Sequence, residues 1–142
     1  MRILLADAQA KVRFALRVLL EQQPGVEVVA EVASAEELLA SAAAQCPDLV
    51  LLDWAVAGSP ALSLLRTLRR GCPDVEVIAL SGRPEVRGAA LAAGADAFVS
   101  KGNPPEHLLA AIARCCRDEK LGTPGQRIFD NSLAAVPPLV EE

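Results

Sequence analysis

The sequence of 142 residues predicts an α/β fold in which a doubly wound, five-stranded parallel sheet carries helices on both faces. Three observations lead to this prediction. Short apolar runs rich in Val, Ile and Leu alternate with longer segments of helical period, and the alternation occurs five times. The connections between them are short, and Gly or Pro marks several of the predicted ends. Right-handed crossovers between parallel strands then distribute the helices over both faces of the sheet.

Five apolar runs supply the predicted strands, and a polar residue follows or ends most of them. The runs cover residues 3–6, 26–32, 49–52, 75–80 and 97–100. The third run is apolar at every position, which is typical of a strand buried on both faces in the middle of a parallel sheet. We therefore expect residues 49–52 to lie at the centre of the sheet.

Two helices are predicted before the third strand. The first has apolar residues at the spacing of one helix face, namely Val12, Ala15, Leu16, Leu19 and Leu20. The Pro24-Gly25 pair ends it. Ser34 and Glu37 form a capping box, in which the serine hydroxyl accepts from the amide of Glu37 and the glutamate reaches back. A second helix is therefore predicted over residues 35–45.

Beyond the third strand the sequence predicts a loop over residues 54–59, and then a helix that carries Leu62, Leu65 and Leu68. A fourth helix is expected over residues 86–93. The last helix opens with Asn103 as its cap and Pro104 at its first position. Its pattern lapses after residue 117, so we predict one domain over residues 1–117 and a linker or C-terminal tail over residues 118–142.

Composition excludes several classes of protein. A net charge of −4 and an aromatic content of 3% argue against a nucleic-acid surface on this chain. No apolar run approaches the roughly 18 residues of a membrane span, and the charged N-terminus is unlike a signal peptide. The four cysteines form no CxxC motif, and the single histidine has no second histidine with which to share a metal. We expect a reduced, cytoplasmic protein without membrane contact.

Polar side chains stand at the ends of four predicted strands: Asp7, Asp53, Ser81 and Lys101. Because the carboxyl ends of parallel strands share one edge, where open α/β sheets bind ligands, we expect these side chains to converge. The set suits phosphoryl transfer to a carboxylate. Asp53 would be the nucleophile, Asp7 and Asp53 would hold Mg²⁺, and Lys101 and Ser81 would contact phosphoryl oxygens.

The sequence resembles the receiver domain of bacterial response regulators over about residues 1–117. The resemblance lies in the segments Ile3-Leu4-Leu5-Ala6-Asp7, Leu49-Val50-Leu51-Leu52-Asp53, Ala79-Leu80-Ser81, Gly94-Ala95-Asp96-Ala97-Phe98 and Val99-Ser100-Lys101. It implies a flavodoxin-like fold of the CheY type with strand order 2-1-3-4-5. The sequence is most similar to the NarL/LuxR-type branch, in which a helix-turn-helix DNA-binding domain follows the receiver. No such domain follows here, and a fragment and a single-domain receiver both stay open.

The resemblance also implies roles for individual residues. Asp53 would be the phosphoacceptor for a sensor histidine kinase, Ser81 the switch hydroxyl, Lys101 the phosphate-pairing lysine and Phe98 the aromatic switch. Phosphorylation would turn Ser81 and Phe98 inward and reshape the face around the fifth strand. A domain of this kind is a signalling switch, which at most catalyses its own phosphorylation and dephosphorylation. A homodimer through the region of the last helix is a further expectation.

Two departures from the family pattern leave the function open. Ala8 stands where the family has a second acidic residue, which predicts weaker Mg²⁺ binding. The loop after Asp53 keeps only Gly58 of the usual Met-Pro-Gly turn, although the backbone carbonyl of Ala55 is still available as a metal ligand. The alternative is therefore a degenerate receiver that acts as a phosphorylation-independent interaction or dimerisation module.

A third hypothesis, a flavodoxin-like cofactor binder, belongs to another class of function. It would require a glycine- or hydroxyl-rich phosphate-binding loop after the first strand. The segment Asp7-Ala8-Gln9-Ala10-Lys11 supplies neither feature, and we set this hypothesis aside.

Overall fold

A computed structural model of the chain describes the backbone of residues 1–121 and the side chains of residues 1–115. Five strands form one parallel sheet in the predicted order, β2-β1-β3-β4-β5. The strands are β1 (Arg2–Ala6), β2 (Glu27–Val32), β3 (Leu49–Asp53), β4 (Glu76–Ser81) and β5 (Ala97–Ser100). The predicted fold class is thereby confirmed.

The helices cover both faces of this sheet. They are α1 (Ala10–Glu21), α2 (Ala35–Gln45), α3 (Trp54–Ala57), α4 (Ala61–Gly71), α5 (Arg87–Ala92) and α6 (Pro105–Leu121). On one face of the sheet, Leu4 and the other strand side chains that point to this face pack against α2, α4 and α5. On the opposite face, Leu5 and its neighbours pack against α1 and α6. Successive residues of a strand point to opposite faces, so both cores share the same strands.

The central position of β3 follows from its sequence. All five of its residues are buried, and they alternate between the two cores: Leu49 and Leu51 lie in one, Val50 and Leu52 in the other. Asp53, the last residue of this strand, is therefore carried to the edge of the sheet by an element that both cores hold in place.

The capping box of α2 is present, with one of its two backbone donors shifted by one residue. The Ser34 hydroxyl accepts from the amide of Glu37 at 3.2 Å, as predicted. The Glu37 carboxylate reaches back to the amide of Ala33 at 2.8 Å. These bonds satisfy backbone donors that the first turn leaves without helical partners. The helix ends at Gln45, and its C-terminal cap Cys46 has a φ of 44°, in the left-handed region.

The predicted loop over residues 54–59 was partly wrong, because residues 54–57 form the short helix α3. Asp53 caps this helix through its own side chain, which accepts from the amide of Ala55. A capping carboxylate satisfies a backbone donor of the first turn, so one turn of helix forms in place of a loop.

Other boundaries also differ from the prediction. A 3₁₀ turn over Pro84–Val86 precedes α5, so the α-helix itself begins at Arg87. Leu62 was expected on the same helix face as Leu65 and Leu68, but its side chain is 41% exposed, whereas Leu64 is buried in its place.

The last helix runs to Leu121, beyond the predicted domain boundary at residue 117. The boundary itself and the predicted tail stay predictions, since residues 122–142 lie outside the described residues. Within the described part of the chain, no helix is both long enough and apolar enough to cross a membrane.

Candidate functional site

Three of the predicted site residues meet at one edge of the sheet. Asp7 follows β1, Asp53 ends β3 and Lys101 follows β5. The Lys101 ammonium nitrogen lies 2.7 Å from Oδ2 of Asp7 and 3.2 Å from Oδ1 of Asp53. One cation therefore bridges two carboxylates that are supplied by different strands.

Burial makes the charges of this cluster energetically costly. The side chains of Asp7 and Asp53 are 2% and 11% exposed, and that of Lys101 is 27% exposed. Two carboxylates in poorly solvated surroundings repel each other, and a nearby cation relieves that repulsion. The cluster as a whole keeps a formal charge of about −1, since one ammonium offsets only one of the two carboxylates.

The Lys101 ammonium is stabilised by its partners. Burial acts to lower the pKa of Lys101, but the hydrogen bond to Asp7 and the negative charge of Asp53 act more strongly together. The pKa of Lys101 is therefore raised above its ordinary value, and the side chain is a cation throughout the physiological range.

Asp7 is fixed by its own backbone as well as by its side chain. Oδ1 accepts from the amide of Gln9 at 2.9 Å, and the Asp7 amide donates to the carbonyl of Val32 at 3.0 Å. The Asp7 carbonyl accepts from the guanidinium of Arg13 at 2.6 Å. The contact between Arg13 and Asp7 was not predicted from the sequence. The only sequence signal for this contact is the position of Arg13 in the first turns of the helix after β1.

Asp53 has one oxygen engaged by the protein. Its Oδ1 takes both the Lys101 contact and the 3.5 Å hydrogen bond from the Ala55 amide. No hydrogen bond or ion pair to Oδ2 occurs among the described residues. The amide of Ala55 is thus the group that faces Asp53, and the predicted metal contact of the Ala55 carbonyl stays a prediction.

Ser81 links the site to the loop after β4. Its hydroxyl oxygen accepts from the amide of Arg83 at 3.0 Å. Its backbone carbonyl accepts from the amide of Lys101 at 2.8 Å, which joins the ends of β4 and β5. Since a hydroxyl both accepts and donates, the proton of Ser81 is still available to a further acceptor.

Phe98 lies apart from the charged cluster. It is 6% exposed and belongs to the core that includes Leu65 and Ala90. Its packing partners are apolar core residues, and it is not a member of the charged cluster. The inward turn implied by the resemblance would therefore start from a side chain that is already buried.

Comparison with known proteins identifies the family. Residues 3–113 match the family described as "Response regulator receiver domain". The chain belongs to this family. The match runs from the second residue of β1 to the middle of α6, so this receiver domain includes every residue of the candidate site.

Curated relatives of this receiver domain are longer regulators. The response regulator UvrY of Escherichia coli O157:H7 is 32% identical over 112 residues, which are 78% of this chain and 51% of UvrY. The nitrate/nitrite response regulator NarP of Escherichia coli K12 is 32% identical over 134 residues, which are 93% of this chain and 59% of NarP. The chain spans about half the length of the curated relatives that it matches.

Solved structures agree with this fold. A LuxR-family response regulator from Aurantimonas sp. SI85-9A1 aligns with a TM-score of 0.72 at 30% identity, over 81% of this chain and 84% of that one. The isolated REC domain of RcsB from Salmonella enterica serovar Typhimurium, solved in the presence of the phosphomimetic BeF3−, gives 0.70 at 25% identity, over 80% and 86%.

The residues at the site of this receiver domain are compatible with Mg²⁺ while offering it few ligands. Ala8 is exposed directly after Asp7 and contributes no carboxylate. No group of three or more His, Cys, Asp or Glu side chains within the described residues is placed to hold a metal. Mg²⁺ is commonly bound by one or two carboxylates with water completing its shell. Asp7 and Asp53 are the two carboxylates at this edge that could hold such an ion.

Proposed function

We propose that this receiver domain accepts a phosphoryl group on Asp53 from a sensor histidine kinase, with Mg²⁺ held by Asp7 and Asp53. The observation that supports this proposal best is the position of Lys101, whose ammonium lies within 3.2 Å of both carboxylates. A partly exposed cation beside a largely buried carboxylate suits the transfer of a negatively charged group to that carboxylate.

The transfer itself requires one nucleophilic oxygen. An Asp53 carboxylate oxygen attacks the phosphorus of a phosphohistidine, the P–N bond breaks as the P–O bond forms, and the imidazole leaves and takes up a proton. Oδ2 suits this role because Oδ1 already receives the Ala55 amide and the Lys101 ammonium. The product is an acyl phosphate on Asp53.

The surrounding groups would stabilise the added charge. Lys101 would pair with a phosphoryl oxygen while Asp7 keeps its ammonium in position. The Ser81 hydroxyl would donate to a second oxygen and keep accepting from Arg83. Mg²⁺, when bound, supplies positive charge that neutralises the transferring oxygens. The backbone carbonyl of Ala55 is the remaining proposed metal contact.

The signal would then travel to the face formed by α5, β5 and α6. Ser81 and Phe98 are the proposed switch pair. The carbonyl of Ser81 accepts a hydrogen bond from the amide of Lys101, which lies three residues after Phe98 in the chain. A shift of Ser81 would therefore displace the end of β5. Phe98 also lines a cavity with Leu91 and Ala111, which provides space for such a rearrangement.

A histidine kinase must bring its phosphohistidine to Asp53, and the surface beside Lys101 is suited to a protein partner. An apolar groove of about 270 Å³ lies there between α1 and the start of α6, with Leu16 and Pro104 among its lining residues. On α1, Phe14 is 63% exposed and Val18 is 44% exposed. Exposed apolar side chains next to a groove are typical of protein interaction sites.

Two further properties belong to this proposal. We infer a cytoplasmic location, where thiols are reduced except during transient oxidation. We also infer a homodimer in which the region of α6 forms the contact, as an analogy to the family. Light scattering coupled to size-exclusion chromatography, with and without a phosphodonor, would show twice the mass of 14.9 kDa for a dimer and the single mass for a monomer.

The second candidate function is a phosphorylation-independent interaction module, and Ala8 is the observation that favours it. Without the second carboxylate, the net charge that attracts a divalent cation is reduced. Lys101 also already neutralises part of the remaining charge. A site of this kind would hold Mg²⁺ weakly, and the fold would then serve mainly as a docking or dimerisation surface.

Intact-mass measurement after incubation with acetyl phosphate and Mg²⁺ distinguishes the two functions. The proposal predicts a single phosphate adduct on the wild-type chain that is absent from Asp53→Asn. If no adduct forms at millimolar Mg²⁺ under conditions that label an ordinary receiver, the interaction module is the better description. The Ala8→Asp variant then shows whether the missing carboxylate is the reason.

A further inference from the structure

Two cysteines meet at the end of the molecule that is opposite the candidate site. Cys46 is the C-terminal cap of α2, and Cys72 is the C-terminal cap of α4. Their sulfur atoms are 3.8 Å apart, although 26 positions separate them in the sequence. Both residues immediately precede the segments that lead into β3 and β4, whereas Asp53 lies at the far end of β3.

The backbone holds this pair in place. The carbonyl of Ala42 accepts from the amide of Cys46 at 2.8 Å and from the thiol of Cys72 at 3.3 Å. Cys46 has a φ of 44°, in the left-handed region where glycine is the usual residue at a helix end. A cysteine therefore occupies a position that favours glycine, and its sulfur lies beside the Cys72 thiol.

The two thiols differ in their surroundings. Cys46 is exposed, whereas Cys72 is 6% exposed and packs in the core. Burial raises the pKa of the Cys72 thiol, and its contact with Cys46 raises it further. A small oxidant therefore reacts first with the exposed thiol of Cys46. The buried thiol of Cys72 is placed to react with the oxidised Cys46.

We propose that Cys46 and Cys72 are an oxidation site at which a peroxide forms an intramolecular disulfide. The Cys46 thiolate attacks one peroxide oxygen, the O–O bond breaks, and a sulfenic acid and water result after protonation. The Cys72 sulfur then attacks the Cys46 sulfur, the S–OH bond breaks, a second water leaves and the Cys72 proton is released with it. Two thiols and one hydrogen peroxide thus give one disulfide and two waters.

Little movement is required. A disulfide bond is about 2.05 Å long, so the sulfur atoms must approach by roughly 1.8 Å from their present 3.8 Å. The bond would tie the ends of α2 and α4 together and close a loop that contains β3. Asp53 would lie about the length of β3 away, roughly 15 Å, so its chemistry is not part of the oxidation.

The test uses the full reduced chain, treated with hydrogen peroxide and then blocked with N-ethylmaleimide. Trypsin cleaves after Arg66, Arg69 and Arg70, which places Cys46 and Cys72 on different peptides. The proposal predicts a linked pair of peptides, two fewer maleimide adducts on the intact chain than on the untreated control, and reversal by dithiothreitol. Closing this loop should also raise the Tm by roughly 5–10 °C.

Two variants make the result decisive. Cys46→Ser should fold normally, because the side chain is exposed, and it should lose both the linked peptides and the shift in Tm. A chain with Cys115→Ala and Cys116→Ala keeps the proposed pair and should behave as the wild type. The proposal is overturned if peroxide leaves Cys46 as a sulfinic acid without linkage, if the product is a dimer joined between chains, or if the linked peptides contain other cysteines.

Discussion

The Lys101 ammonium nitrogen lies 2.7 Å from Oδ2 of Asp7, and 94 positions of sequence separate the two residues. This contact joins the end of β1 to the end of β5, across β4 and across β3 with its Asp53. Asp7 thereby fixes the position of the Lys101 ammonium, and this positive charge sets the electrostatic surroundings of Asp53.

Replacing Lys101 with methionine should destabilise the fold at neutral pH. The substitution keeps the length of the side chain while leaving Asp7 and Asp53 without a cation, and removal of one partner from a buried charge cluster is costly. Allowing for the partial exposure of Lys101, we expect a loss of about 1–3 kcal/mol in the free energy of unfolding, measured with urea at pH 7. Lys11→Met, on the exposed surface of α1, is the matched control and should change it by less than about 0.5 kcal/mol. Equal losses in the two variants would contradict this reading of Lys101.

The raised pKa of Lys101 predicts a pH dependence with a definite sign. A group whose pKa is higher in the folded state contributes its stability in full below its unfolded pKa of about 10.4, and loses it as the pH rises through the folded value. The difference in unfolding free energy between the wild type and Lys101→Met should therefore be constant from neutral pH to about pH 10, and shrink above it. Urea titrations at several pH values measure this difference. A difference that stays constant through pH 11 would exclude the proposed linkage.

Restoring a carboxylate at Ala8 should strengthen Mg²⁺ binding. Ala8→Asp adds a third carboxylate next to Asp7 at an exposed position, and a gain of roughly 10–100-fold in affinity is expected by analogy with other ligand-shell changes. Fluorescence of Trp54, the only tryptophan and the neighbour of Asp53, reports the titration. Ala8→Asn has nearly the same shape without the charge and should give little of the gain. If both variants bind equally well, charge at this position is not the limiting factor.

Asp96 provides a stability test away from the site. Its Oδ2 accepts from the Arg69 guanidinium at 2.5 Å and from the amide of Val77 at 2.8 Å. Asp96→Ala leaves the amide of a buried strand residue without this acceptor, which should cost about 1–3 kcal/mol. Asp74→Ala removes an exposed carboxylate of the same kind and should be nearly neutral. Urea unfolding at pH 7 compares them, and a similar loss for both would show that the Val77 bond is unimportant.

The strands and the convergence of the site were predictable because they depend on short-range pattern. Alternating apolar runs locate the strands, and parallel pairing then brings Asp7, Asp53 and Lys101 to one edge without further information. The helix α3 was missed for a different reason. It forms because the side chain of Asp53 caps it, and a capping bond that depends on the orientation of one carboxylate leaves no periodic signal in four residues.

Long-range partners were also beyond prediction from the sequence. Arg69 lies in the last turn of α4, and its partner Asp96 lies 27 positions later in the sequence. Arg13 supports the backbone of Asp7 and carries no motif of its own. Both contacts depend on how a helix packs over the ends of neighbouring strands, and that packing is fixed only by the whole core.

The span of the Lys101–Asp7 contact has a consequence for how the domain is made. Asp53 is synthesised well before Lys101, so for some time a nascent chain contains the carboxylates of Asp7 and Asp53 without the cation that bridges them. At about 5–20 residues per second, the interval from residue 53 to residue 101 lasts a few seconds. During it the charged cluster cannot assemble. A finished site is therefore available only to chains in which the final strand has been synthesised and has taken its place beside β4.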